Sequence, residues 1–136
     1  MTTVLNLPAR PEAPIACDMS TAQDTPDERL AEYRRLFERA LTSRERSEDA
    51  VVLTFHGDVR DAVEDLAHRE AACCPFLDYR VEVIGDRVVW TTTNLRSGDD
   101  RRDVDVILAA LYELPDHTGS GLEGYFQRLE VRSSLT

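Results

Sequence analysis

Tyr79-Arg80-Val81-Glu82-Val83-Ile84-Gly85-Asp86-Arg87-Val88-Val89-Trp90-Thr91-Thr92-Thr93 decides the fold. Tyr79, Val81 and Val83 alternate with Arg80 and Glu82, the period-two pattern of a strand with one buried face. Gly85-Asp86 supplies a tight turn, and the β-branched and aromatic run from Val88 to Thr93 returns alongside. The stretch predicts an antiparallel hairpin, and the rest of the chain has to be arranged around it.

Upstream, Ala50-Val51-Val52-Leu53-Thr54-Phe55 reads as a buried strand. Between it and the hairpin, Val59, Ala62, Val63 and Leu66 recur at helical spacing, predicting a helix over 58–74 that Pro75 stops. Earlier still, Thr25-Pro26-Asp27-Glu28 is a helix start: Thr25 can cap, Pro26 suits the first helical position, and Glu28 can complete a capping box. Leu30, Tyr33, Leu36, Phe37, Ala40 and Leu41 carry that helix to about Arg46. Pro14-Ile15-Ala16-Cys17-Asp18-Met19 reads as a short strand with Ile15, Cys17 and Met19 on one face. Residues 1–13, with prolines and few large apolar groups, read as a flexible N-terminal arm.

Downstream, Ser97-Gly98-Asp99-Asp100 opens a helix whose inward stripe is Val104, Ile107, Leu108 and Leu111, ending near Pro115. A last short helix follows Ser120, with Leu122, Tyr125, Phe126 and Leu129. The order is β-α-β-α-β-β-α-α. It predicts an α+β fold: a small four-stranded, largely antiparallel sheet with helices packed on one face, residues 14–136 forming a single domain.

The chain has 136 residues, enough for one modest core, and a formal net charge of −10. All sixteen basic residues are arginine. Nucleic-acid binding relies on neutralising phosphates, so this acidity argues against it, and equally against an anionic membrane surface. No apolar run approaches the ~20 residues that span a bilayer. Met1 to Pro14 lacks a basic region followed by an apolar stretch, so a cytoplasmic location is expected.

Glu70-Ala71-Ala72-Cys73-Cys74 ends the 58–74 helix, and its apolar stripe passes through Glu70, Cys73 and Cys74. A carboxylate there must be paired, protonated or bound to a cation. Cys17 is the third and last cysteine. Adjacent trans residues hold their Cα atoms about 3.8 Å apart, below the roughly 4.4–6.8 Å of disulfides, so Cys73 and Cys74 are not expected to bridge each other. In a reducing compartment clustered thiols point to metal binding or catalysis. The pair sits at the negative end of a helix, with Glu70 one turn earlier, and both features disfavour a free thiolate nucleophile. His68 points away from Glu70, and Arg69 merely flanks it. A soft cation reverses the balance by deprotonating coordinating thiols.

Three sulfurs suit Hg(II), As(III), Cu(I), Cd(II) or Zn(II), although the paired Cys-x-x-Cys knuckles of structural zinc are absent. The plainer alternative makes all three cysteines small buried hydrophobes. His56 and His117 are spare candidates, more typical of surface residues. Asp99, Asp100, Asp103 and Asp105 alternate with Arg101 and Arg102 as on a helix surface, not a calcium loop. No phosphate loop, Gly-x-Ser-x-Gly or His-Glu-x-x-His motif is present, so no nucleotide or organic cofactor is indicated.

Ile15-Ala16-Cys17, Val52-Leu53-Thr54-Phe55 and Leu66-Ala67-x-x-Glu70-Ala71-Ala72-Cys73-Cys74-Pro75-Phe76 together resemble a small actinobacterial domain. Its Glu-x-x-Cys-Cys-Pro-Phe segment occurs alone or attached to MerR-type heavy-metal-responsive regulators. The resemblance covers roughly 14–93. It implies a thiol sensor or binding domain of heavy-metal or organometal stress, with Cys17, Cys73, Cys74 and Glu70 as site residues. The chain has no DNA-reading helix-turn-helix, and 97–131 falls outside the match.

Three classes of function follow. The first is a thiol domain binding a soft metal, a metalloid or a thiol-reactive small molecule through Cys17, Cys73, Cys74 and Glu70. The second is an enzyme of organometal-protonolysis type with Glu70 as the acid. The third is an interaction module with structural cysteines. A homodimer or a regulatory protein partner is compatible with each.

Overall fold

The computed structural model describes residues 2–117. The hairpin forms as expected: β4 (Asp78–Ile84) and β5 (Arg87–Thr93) pair antiparallel, with Val81 opposite Trp90 and Val83 opposite Val88. Gly85 takes φ +62° at the first turn position, where a side chain would be strained and a primed hairpin turn needs a positive φ. The next partner of β5 is β3 (Ala50–His56), with Leu53 opposite Trp90. These pairings put Val51, Leu53, Phe55, Tyr79, Val81, Val88, Trp90 and Thr92 on one face, all buried. Val52, Thr54, Val89 and Thr91 point the other way and are half-buried.

Among the described residues, three helices complete the core over the buried face. In α1 (Pro26–Ala40), Thr25 and Glu28 form the expected capping box, and Leu30, Tyr33, Leu36, Phe37 and Ala40 are buried. Tyr33 stacks on Trp90 and Phe37 on Phe55, with ring centroids 6.1 and 6.2 Å apart. Between β3 and β4, α2 (Arg60–Cys73) buries Val63, Leu66, Ala67 and Cys73. Val104, Leu108 and Leu114 of α3 (Gly98–His117) join the same cluster. Among the described residues, no helix is long and apolar enough to cross a membrane.

Among the described residues the sheet has five strands, not four, in the order β1-β4-β5-β3-β2 with every pair antiparallel. Thr2–Leu7, read from the sequence as part of a flexible arm, is the edge strand β1. It pairs with β4, and Leu5 and Leu7 turn toward the core. The first helix stops at Ala40, and Leu41–Arg46 is the other edge strand, β2. Thr42 and Ser43 are poor helix formers, and extension lets Arg44 and Arg46 reach α3. Arg44 bonds the Tyr112 carbonyl at 3.0 Å and Asp116 at 2.9 Å, and Arg46 bonds Asp105 at 2.6 Å.

The strand expected over 14–19 is absent: this stretch is irregular and pairs with no strand. Ile15 and Met19 still pack on the core, but Cys17 is exposed, not on a shared buried face. The observed order is β-α-β-β-α-β-β-α. The helix expected after Ser120 lies outside the described residues.

Candidate functional site

The last turn of α2 gathers the acid and two thiols. Cys74 caps the helix, its N–H donating to the Glu70 carbonyl at 2.7 Å, and Pro75 cannot continue the ladder. The Tyr79 hydroxyl donates to the Cys74 carbonyl at 3.3 Å, tying this end to β4. Cys73 and Cys74 are buried, with their sulfurs 3.7 Å apart. The Cys74 sulfur is 4.0 Å from Glu70 Oε2. One ligand atom each of Glu70, Cys73 and Cys74 lies within 4.8 Å of the others, close enough to hold a metal ion.

An irregular strap between β1 and α1 crosses this helix end. Arg10 N–H donates to the Pro75 carbonyl and Asp18 N–H to the Cys73 carbonyl, each at 2.8 Å. Between these two anchors, Cys17 forms a disulfide with Cys74 across a Cα–Cα distance of 4.5 Å. Cys17 therefore meets the cluster, but through a covalent bond to one of its sulfurs. Cys73 is the free thiol.

Arg29, in the first turn of α1, is the charged centre of the site and only 3% exposed. Its Nη1 donates to Glu70 Oε1 at 3.1 Å and to Cys73 Sγ at 3.2 Å. Its Nε and Nη2 clamp the two Asp24 oxygens at 2.8 Å each. Asp24 also accepts from Arg69 Nη1 at 3.0 Å, and Arg69 bonds Glu32 and, at 2.7 Å, Asp65. Cations and anions thus alternate from the surface inward to Cys73.

This order sets the protonation states. Burial pushes the Cys73 thiol up to about 11, Glu70 adds to the rise, and Arg29 opposes it. The same burial raises Glu70 above the usual carboxylate range, while Arg29 pulls it back. Asp24, hydrogen-bonded by Arg29, is held down to about 2. The Tyr33 hydroxyl is buried, and burial followed by the Glu70 charge drives its pKa well up.

The other sequence candidates lie elsewhere. His56 is exposed and pairs with Asp86 at 2.8 Å. His68 is exposed, and His117 ends α3. Asp99, Asp100 and Asp105 pair with Arg102, Arg96 and Arg46 along α3, as on an ordinary helix surface. The sequence alone does not single out Arg29 or Asp24. The signal for Arg29 was its spacing, since it lies four and seven residues before Tyr33 and Leu36 on the core stripe of α1.

No family model matches the chain, and neither a curated protein nor a solved structure gives a significant match.

Proposed function

We propose that the chain is a thiol receptor for a soft metal or metalloid ion, or for a thiol-reactive compound, that binds in the dithiol state. The observation that supports this most is the convergence of Glu70, Cys73 and Cys74 donor atoms within 4.8 Å, with the Cys17 sulfur bonded to that of Cys74. Reduction of the bond gives three thiols at one helix end. The ligand would be held by Cys73 and Cys74, joined by Cys17 from the strap, with Glu70 alongside.

The donor set fits a soft ion in the reduced chain only. In the disulfide form Cys74 has no lone thiolate to offer, and Arg29 already serves as the cationic partner of Glu70 and Cys73. A binding ion would displace protons from thiols that burial keeps neutral. Arg29 would then balance part of the thiolate charge. The resemblance to the Glu-x-x-Cys-Cys-Pro-Phe domain supports the same reading and extends it to heavy-metal stress in the cytoplasm. The acidity of the chain supports a role without direct nucleic-acid contact.

The test is arsenite added to the reduced and to the disulfide-bonded chain, followed by urea unfolding. At a ligand concentration 100 times Kd, the reduced chain gains about 2.7 kcal/mol by mass action. The disulfide form, Cys73→Ser and reduced Cys17→Ser gain much less. Equal shifts in all four preparations would sink the shared site.

A further inference from the structure

We propose that Cys17 is a covalent modification site for low-molecular-weight thiols, which enter by exchange with its disulfide to Cys74. The inference rests on the geometry of the disulfide and its surroundings and does not depend on metal binding.

The two sulfurs of the bond sit in different environments. Cys17 lies in the strap between exposed Ala16 and exposed Asp18, and is itself exposed. Cys74 is 4% exposed at the end of α2. A thiolate attacks a disulfide sulfur from the side opposite the leaving sulfur, so access directs attack to Cys17. A bond forms between the incoming sulfur and Cys17 Sγ while the Cys17–Cys74 bond breaks. Its electron pair goes to Cys74, which takes up the proton that the incoming thiol lost. One thiol is consumed and one is freed, so no separate oxidant or reductant is needed.

The surroundings also make the exchange reversible. Asp18 N–H to the Cys73 carbonyl and Arg10 N–H to the Pro75 carbonyl hold the strap on either side of Cys17 without help from the disulfide. The freed Cys74 thiol therefore stays close to the Cys17 adduct. It can attack Cys17 Sγ again and expel the small thiol at high effective concentration.

Cys73 is a poor competitor. Although its sulfur is 3.7 Å from that of Cys74, a bridge between adjacent trans residues needs a Cα separation that the peptide bond does not provide.

The test uses the full, unreduced chain exposed to excess reduced glutathione, sampled over time, quenched with acid and alkylated in denaturant. Cleavage at arginine separates Cys17 from Cys73 and Cys74, because Arg29 and Arg69 lie between them. The expected map carries glutathione on Cys17 and alkyl groups on Cys74 and Cys73. Cys17→Ser, which cannot form the disulfide to Cys74, should carry no glutathione under the same conditions. Glutathione on Cys74 or Cys73, or no adduct on Cys17 at any time in the series, would overturn the proposal. The readout contains no metal, so its failure leaves the arsenite result standing, and the reverse also holds.

Discussion

Arg29 reaches Cys73 from 44 residues away in sequence, its Nη1 donating to Sγ at 3.2 Å. The contact joins the start of α1 to the end of α2 and gives one guanidinium three partners: Asp24, Glu70 and the thiol. Arginine's planar fork suits this arrangement, since separate N–H groups face separate acceptors. The contact brings a cation into a mostly apolar core, and its energetic weight can be measured.

Arg29→Ala is expected to destabilise the fold by about 3 kcal/mol, the scale for removing one partner of a buried ion pair. Glu70 then loses its closest counter-charge in a setting that already favours its neutral form. Arg29→Lys should recover less than half, because an ammonium cannot clamp Asp24 and reach Glu70 and Cys73 together. Urea unfolding of the three proteins checks this. A loss below about 1 kcal/mol, as for an exposed pair, would show that the network contributes little.

The parts of this arrangement differ in how legible they were in the sequence. The hairpin and β3 were plain because Tyr79, Val81, Val88 and Trp90 alternate with half-exposed neighbours. The start of α1 was plain because a capping box is a local device. The edge strands were missed for opposite reasons. Leu5 and Leu7 are too few to give β1 a clear period, and Leu41 extends the α1 stripe into what becomes β2. Glu70, Cys73 and Cys74 could be grouped because helical spacing alone aligns them. Arg29 could not, since an arginine on an apolar stripe commonly snorkels to water. Its burial depends on Asp24 and Glu70, which only the tertiary fold supplies.

Acid should weaken the fold through Asp24 in a defined window. Its pKa is about 2 in the native protein against 3.8 ordinarily, so the unfolded chain binds the proton first as pH falls. The stabilisation is complete above 3.8 and is lost as pH drops toward about 2. Glu70 has the opposite sign: its pKa is raised, so its contribution is complete below 4.5 and is lost as pH rises through the higher native value. Urea midpoints against pH should show a shallower acid limb in Asp24→Asn. Glu70→Gln should remove part of the decline on the neutral side. An unchanged acid limb in Asp24→Asn would contradict the assignment.

Cys73 should resist alkylation in the folded, disulfide-bonded chain. It is 5% exposed, and burial holds its thiol pKa up to about 11. Iodoacetamide at mildly alkaline pH should leave it unmodified in the native protein and label it at once in denaturant. Without reductant the denatured chain should take up one label, and after reduction three, matching one free thiol and one disulfide. Three labels before reduction would mean that the Cys17–Cys74 bond does not form.

The disulfide itself should carry a large share of the stability. Cys17 and Cys74 are 57 residues apart, and closing a loop of that length in the unfolded chain corresponds to about 4 kcal/mol on the chain-entropy scale. Cys17→Ser should therefore lower the unfolding free energy of the oxidised protein by up to about that amount. The strap need not detach, because its backbone bonds to Cys73 and Pro75 remain. Reduction provides the internal control. Dithiothreitol should bring wild type down to the level of Cys17→Ser and leave the variant almost unmoved. If the variant falls equally on reduction, the lost stability does not come from this crosslink.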